Sequence, residues 1–400
     1  DPPVRWLLST VPTAMIFDDH EIHAEWRISE GWIEEMYQEP WFEQHIRCGL
    51  MAYWVFQHIG NLAPADLGRD SLFRALMDCE DGGDVLASHM SGAGRQRGHS
   101  RWSFARRFGE AQLVVIDSRA GREVATGQRE LISASEWEWV REQASSPARH
   151  VFLATSVPLL LAPGLHHVQA WDEALTEGAW GGVGAACGEW LRRLTVMDHW
   201  ASFQRSFRRF ATLLADLATG ELGEARPASV VVLSGDVHHC YLAQAAFDGG
   251  GQVPVWQAVC SGFRKELAPQ ERLVIALGHS SRAGRLMDRL SRRAGVPHAG
   301  IDWRVVERPA YANQIATLTH RGPHAHVRVD AVVDGDWRDP RLELAFARWL
   351  TEPDDVADED ELPTVASPRV PRRSIIERNA RSALIPLRRR RRRRRKGTRG

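Results

Sequence analysis

"TAMIFDDHE", Thr13–Glu21, is an apolar run that stops abruptly at two carboxylates and an imidazole. Ala14 to Phe17 reads as a buried β-strand, with Asp18, Asp19 and His20 as its polar tip. A second stretch, "SVVVLSGDVHH", repeats the design: Ser229 to Ser234 is the strand, and Gly235 to His239 is the tip. "LVVIDSR" adds a strand from Leu113 to Ile116 that ends in Asp117, Ser118 and Arg119. "VFLATS" adds another, Val151 to Ala154. Such strands, separated by helical stretches, predict an α/β or α+β layered core with its site at strand carboxyl ends.

The intervening segments fill in the pattern. Residues 31–61 read as helical with a break near Pro40, and Trp41, Ile46, Leu50, Tyr53 and Trp54 recur at helical spacing as core. A short helix is expected over Asp70–Met77, and a loop over "SGAGRQRGHS", 91–100. Ser133, with Glu136 three residues on, opens a helix over Ala134–Gln143. A Trp- and Gly-rich loop is expected over 171–188, then a helix or helix pair over 189–219 closed by Gly220 and Gly223. "VPVWQAVCSG" reads as a strand, 268–294 as helical, and "ATLTHRGPHAHVRVDAVV" as a hairpin turning at Gly322 and Pro323.

Composition narrows the classes. The formal net charge of the 400 residues is zero, but it is unevenly spread. Residues 351–400 carry 15 Lys+Arg against 8 Asp+Glu, which leaves the first 350 mildly acidic and gives no support for a nucleic-acid-binding core. The tail joins the acidic linker "EPDDVADEDELP" to Arg388–Arg395, eight arginines in a row. Such a run repels itself and predicts a solvated, disordered tail able to make weak contacts with nucleic acid or an anionic surface. Two regions follow: a folded domain over 1–350 and a tail over 351–400. Five scattered cysteines without C-x-x-C spacing argue against a disulfide framework and favour a reducing compartment, cytoplasmic rather than secreted. No apolar run is long enough to span a membrane. The first residue is Asp1 and a core strand follows almost at once, so the sequence reads as a fragment lacking its N-terminal part.

The strand tips carry the chemistry. "DDHEIHAEW" does not fit H-E-x-x-H, because Ala24 stands where a second histidine would and His23 is one place short. A pair of carboxylates with imidazole is a donor set that Zn, Mn and Fe accept. Asp236 and His238 are two residues apart and would share one side of an extended backbone, leaving His239 facing away and Gly235 permitting the turn. Arg119 is a fork for phosphate or carboxylate, or an ion-pair partner. No G-x-S-x-G surrounds Ser156, and neither a dinucleotide fingerprint nor a P-loop is present.

Taken together, "VPTAMIFDDHE", "LVVIDSRAGR", "LATSVPLLL", "VVVLSGDVHHCYLA" and "VCSGFRKEL" resemble, in this order, the PhoD-like (alkaline phosphatase D) metallophosphatases of the calcineurin-like phosphoesterase superfamily. The resemblance covers about residues 1–330. It implies a four-layer αββα sandwich of two mixed sheets flanked by helices. It also implies hydrolysis of phosphate mono- or diesters at a site of two metal ions, drawn from Fe, Ca, Mn or Zn. By that match Asp18, Asp19, Asp236 and His238 would be metal ligands, His20 the general acid, and Arg119 a residue near the phosphoester substrate. Family motifs that would supply further ligands are absent and would precede Asp1. "HAEWR", His23–Arg27, replaces the Asp and Asn usual after the first motif. A catalytically weakened relative, tethered by its basic tail as a binding or scaffold protein, is the alternative reading.

Overall fold

The apolar runs at 111–116, 150–155 and 229–234 form the centre of a mixed sheet in the computed structural model, which describes residues 2–95, 99–223, 225–262, 267–333 and 341–352. The strands are β1 (Phe104–Phe108), β2 (Ala111–Ile116), β3 (His150–Thr155), β4 (Ser229–Ser234), β5 (Cys240–Phe247), β6 (Val255–Val259), β7 (Ile301–Ala310), β8 (Gln314–Arg321), β9 (His324–Val333) and β10 (Arg341–Trp349). Seven of them make one sheet in the order β1-β2-β3-β4-β6-β5-β7, and three make a second, β10-β9-β8. β2, β3, β4 and β6 run parallel, while β1, β5 and β7 are antiparallel to their neighbours. Continuous apolar sequence in β2, β3 and β4 is what parallel strands covered on both faces require. The chain is thus mixed α/β, with a seven-stranded and a three-stranded sheet flanked by helices.

Each face of the larger sheet has its own core. On one, Val114, Leu153, Val230 and Val232 pack against Trp137 and Val140 of the helix Ala134–Ala144 and against Phe207, Phe210 and Leu214 of the helix Gln204–Thr219. On the other, Phe152, Val231, Leu242 and Trp256 meet Val327, Val329 and Phe346 of the smaller sheet. A separate cluster of Phe17, Trp26, Ile46, Leu50, Tyr53 and Trp102 holds the N-terminal helices together.

Several elements form where the sequence places them. Ser133 caps the helix Ala134–Ala144 by accepting a hydrogen bond from Glu136 N at 3.2 Å, while the Glu136 carboxylate accepts from Ser103 Oγ. Ser133→Ala is expected to cost about 1 kcal/mol in urea denaturation; an unchanged midpoint would show that the cap contributes nothing. Gly220 ends the helix Gln204–Thr219 in the left-handed conformation, φ +79°. The hairpin turns at Gly322 between β8 and β9.

Three expectations fail. Ala14–Phe17 forms no strand and joins no sheet of the described residues. Among the described residues, its ladder is replaced by one side chain: Asn61 Oδ1 accepts from Met15 N at 2.8 Å and Asn61 Nδ2 donates to Met15 O at 2.6 Å. The predicted loop over 171–188 is instead the end of the helix Pro163–Thr176 and most of the helix Gly181–Thr195. Packing outweighs the poor helix propensity of its glycines. A Cβ at Gly188 would lie 2.9 Å from Thr176 Cγ2, and buried Arg192 bonds Asp172 at 3.0 Å. The expected loop over 91–100 begins as helix, because Gly83–Arg95 is continuous. Strands β1, β7 and β10 were not legible as strands. The tail expected over 351–400 lies, from residue 353 on, outside the described residues. No helix of the described residues is long and apolar enough to cross a membrane.

Candidate metal centre

The parallel strands β2, β3 and β4 deliver their next residues to one end of the larger sheet. β2 is followed by Asp117–Arg119, β3 by Ser156, and β4 by Gly235–His239. Gly235 N donates to Ser156 O at 3.2 Å, which ties the last two tips together. The segment ending at Phe17 brings in Asp18, and a 3-10 turn, Asp19–Glu21, follows.

Arg119 lies at the centre with none of its side chain exposed. Nε donates to Ser156 Oγ at 2.8 Å, Nη2 donates to Asp236 Oδ2 at 2.7 Å, and Nη1 donates to Asp198 Oδ2. Asp18 Oδ1 stands 2.9 Å from Nη2, and Asp19 Oδ2 stands 3.4 Å from Nη1. Asp117 Oδ1 fixes the turn itself by accepting from the backbone N–H groups of Arg119 and Ala120. Arg122 Nη2 donates to Asp198 Oδ2 at 3.1 Å. Burial alone would lower the pKa of Arg119, but Asp198, Asp18, Asp236 and Asp19 outweigh it and hold the guanidinium above its ordinary value. Burial alone would likewise raise Asp198, yet Arg119 and Arg122 keep it well below the carboxylate range.

Four carboxylates therefore face two guanidiniums, a formal excess of two negative charges in a largely buried pocket. A buried carboxylate cluster is costly without matching positive charge. Asp18, His20 and Asp236 each turn one donor atom to within 4.8 Å of the others, a group able to hold a metal ion. Asp18 Oδ1, despite its contact with Arg119, makes no hydrogen bond. The donor set and the charge excess both fit a divalent cation.

The structure separates the residues singled out in the sequence. Asp18, His20 and Asp236 converge. Asp19 is buried, and its Oδ2 accepts from Glu25 N at 2.8 Å, which pins the turn after the motif. His238 does not join this group, and its backbone N donates to Ser261 Oγ at 3.0 Å. The backbone there is not extended: Asp236 and His238 adopt φ +66° and +55°, while Gly235 stays outside the left-handed region. Alternation along a strand therefore does not place these two side chains. Each left-handed non-glycine residue costs about 1–2 kcal/mol, strain that typically concentrates at functional sites. His239 is buried, its Nδ1 lies 2.6 Å from Val237 O, and burial pushes its pKa down to about 4. His23 lies among Trp32, Trp41 and Phe42, with Nδ1 2.7 Å from Ala24 O.

Sequence reasoning missed Asp198 and His199. "VMDHW", Val196–Trp200, pairs Asp with His much as "DDH" does, but it follows a helix rather than a strand. A second group able to hold a metal ion, Asp248, His298 and Asp302, lies on the exposed surface. No family model, curated protein or solved structure matches the chain.

Proposed function

We propose that this protein is a metal-dependent phosphoesterase of the PhoD-like kind, acting on phosphate mono- or diesters. The observation that carries the reading is the negative excess around Arg119, with Asp18, His20 and Asp236 converging beside the carboxyl end of β4. The ordered motifs support the kinship, and the packing of the larger sheet on the smaller suits a metallophosphatase sandwich. The wider two-ion site belongs to the same reading, with His238 as a further ligand.

Asp18 and Asp236 would hold the cation. A divalent ion bound there would supply a nucleophilic water and neutralise charge on phosphoryl oxygens. Arg119 is a positioning residue: it is buried and committed to carboxylates and Ser156, so it orients Asp18 and Asp236 rather than gripping substrate. Asp19 holds the turn that carries His20. His20 is exposed, and as general acid its imidazole would donate a proton to the leaving alkoxide.

One observation favours the alternative of a catalytically weakened binding protein: the Arg119 guanidinium already stands among the carboxylates where a cation would act. The same assay decides between them. Hydrolysis of p-nitrophenyl phosphate and its bis ester is expected with added Mn2+, Ca2+, Fe3+ or Zn2+, and chelator should abolish it. His20→Ala should lower the rate about a hundredfold or more, and Asp236→Ala should also remove metal binding. No hydrolysis with any ion, or rates unchanged in both variants, would defeat the enzymatic reading.

A further inference from the structure

Beside the Arg119 cluster stands a side chain to which the mechanism above gives no role. His199 precedes the 3-10 turn Trp200–Ser202, and Ser202 N closes that turn on His199 O at 2.9 Å. The turn is fixed to the sheet by the Trp200 indole, whose Nε1 donates to Thr155 Oγ1 at 3.0 Å at the end of β3. The ring is held on one side only. Ser202 Oγ donates to Gln169 Oε1 at 3.1 Å, which turns the Gln169 amide nitrogen towards His199 Nδ1, 3.0 Å away. With the Gln169 amide nitrogen as donor of this pair, Nδ1 accepts and the proton of the neutral ring sits on Nε2.

Asp198 does not reverse this assignment. Its Oδ1 is 3.5 Å from Nδ1, too long for a good hydrogen bond, and its Oδ2 serves Arg119 and Arg122. Burial lowers the pKa of His199, which keeps the ring neutral, and Asp198 and Asp236 are the carboxylates that act on it. Nε2 is buried and has no hydrogen-bond partner. An unsatisfied buried N–H is uncommon and calls for a partner. The side chain keeps 15% of its surface exposed, so a ligand oxygen can reach the ring edge after a small side-chain adjustment.

We propose that His199 Nε2–H is a substrate-binding donor, placed to receive one oxygen of a tetrahedral oxyanion held beside Asp236. This inference rests on the phosphoesterase reading, because an anion approaches these carboxylates only when a cation is bound among them. A neutral donor suits this place. It adds no charge to compete with the cation for Asp236, yet it satisfies an oxygen that the cation does not reach.

The test uses the full chain with Mn2+ and inorganic phosphate, followed by calorimetry. His199→Phe is expected to weaken phosphate binding about tenfold or more, with Mn2+ binding unchanged. His199→Gln, whose amide nitrogen can stand near the Nε2 position, is expected to recover most of that loss. In the wild type, 15N spectra of the imidazole should show the Nε2–H tautomer, and the Nε2 signal should shift on adding phosphate. Equal phosphate affinity in wild type and His199→Phe, or an Nδ1–H tautomer, overturns the assignment of His199 alone. A wild type that binds Mn2+ but not phosphate overturns both this assignment and the phosphoesterase reading.

Discussion

Arg119→Leu is expected to lower the unfolding free energy by about 3–5 kcal/mol, and a divalent cation is expected to restore part of it. The guanidinium has no exposed surface and touches Asp18, Asp19, Asp198 and Asp236. Leucine keeps much of the volume and removes the charge. Four carboxylates would then share only Arg122, which lies against Asp198 alone among them. Uncompensated buried charge, rather than lost attraction, makes this change costly. The measurement is urea unfolding of both proteins with chelator and with millimolar Mn2+ or Ca2+. If the four carboxylates surround a common cation position, the metal should stabilise the variant more than the wild type. A small loss, or one indifferent to every divalent ion, would show that the carboxylates do not act together on a cation.

That dependence on one buried arginine explains what could be seen in the sequence and what could not. β2, β3 and β4 were legible because each is an uninterrupted apolar run with a polar end, and the parallel centre of a sheet leaves such runs little choice. The helix after Ser133 was legible from its cap. Strand direction places Asp236 at the carboxyl end of β4, whereas Asp18 and His20 reach the same end from a segment that is no strand, so their convergence was read from residue type and not from topology. Four features were hidden for separate reasons. Whether Ala14–Phe17 becomes a strand depends on a partner, and Asn61, far along the chain, takes the place of one at Met15. The helices across 163–195 form through close packing at Gly188 and a buried Arg192–Asp172 pair, neither of which has a local signature. Asp198 and His199 reach the site from a helix end, where a search for strand tips does not look. The left-handed backbone at Asp236 and His238 follows from the tertiary path between β4 and β5, not from their residue types.

Acid should unfold the protein earlier than its carboxylates alone would require, through three buried histidines. Burial pushes His58 and His239 down to about 4 and His166 well below its ordinary value. His58 Nδ1 and His166 Nδ1 have no hydrogen-bond partner, so neither ring has a fixed acceptor to welcome a proton there. In the unfolded chain each titrates near 6.5. Between about pH 6.5 and 4 the unfolded state therefore binds more protons than the folded one, and stability falls as pH falls. His58 and His239 should each cost roughly 2 kcal/mol across that window, after allowance for relaxation of their surroundings, and His166 acts in the same direction. Asp172, Asp117 and Glu173 act in the opposite sense, because burial raises the pKa of each. The folded pKa of Asp172 is raised to about 6, so its protonation offsets part of the loss over much of the same range. Asp198 is held low, so the stability it contributes is fully present above the unfolded carboxylate pKa and is lost only at lower pH. The net expectation is a fall of several kcal/mol between pH 7 and 4.5, read from urea midpoints. His58→Phe should flatten the slope, because its ring already packs edge-on against Trp102 beside Tyr53, where phenyl can replace it without titrating. A stability that is flat from pH 7 to 4.5, or a slope the same in wild type and His58→Phe, would show that these histidines do not govern the acid limb.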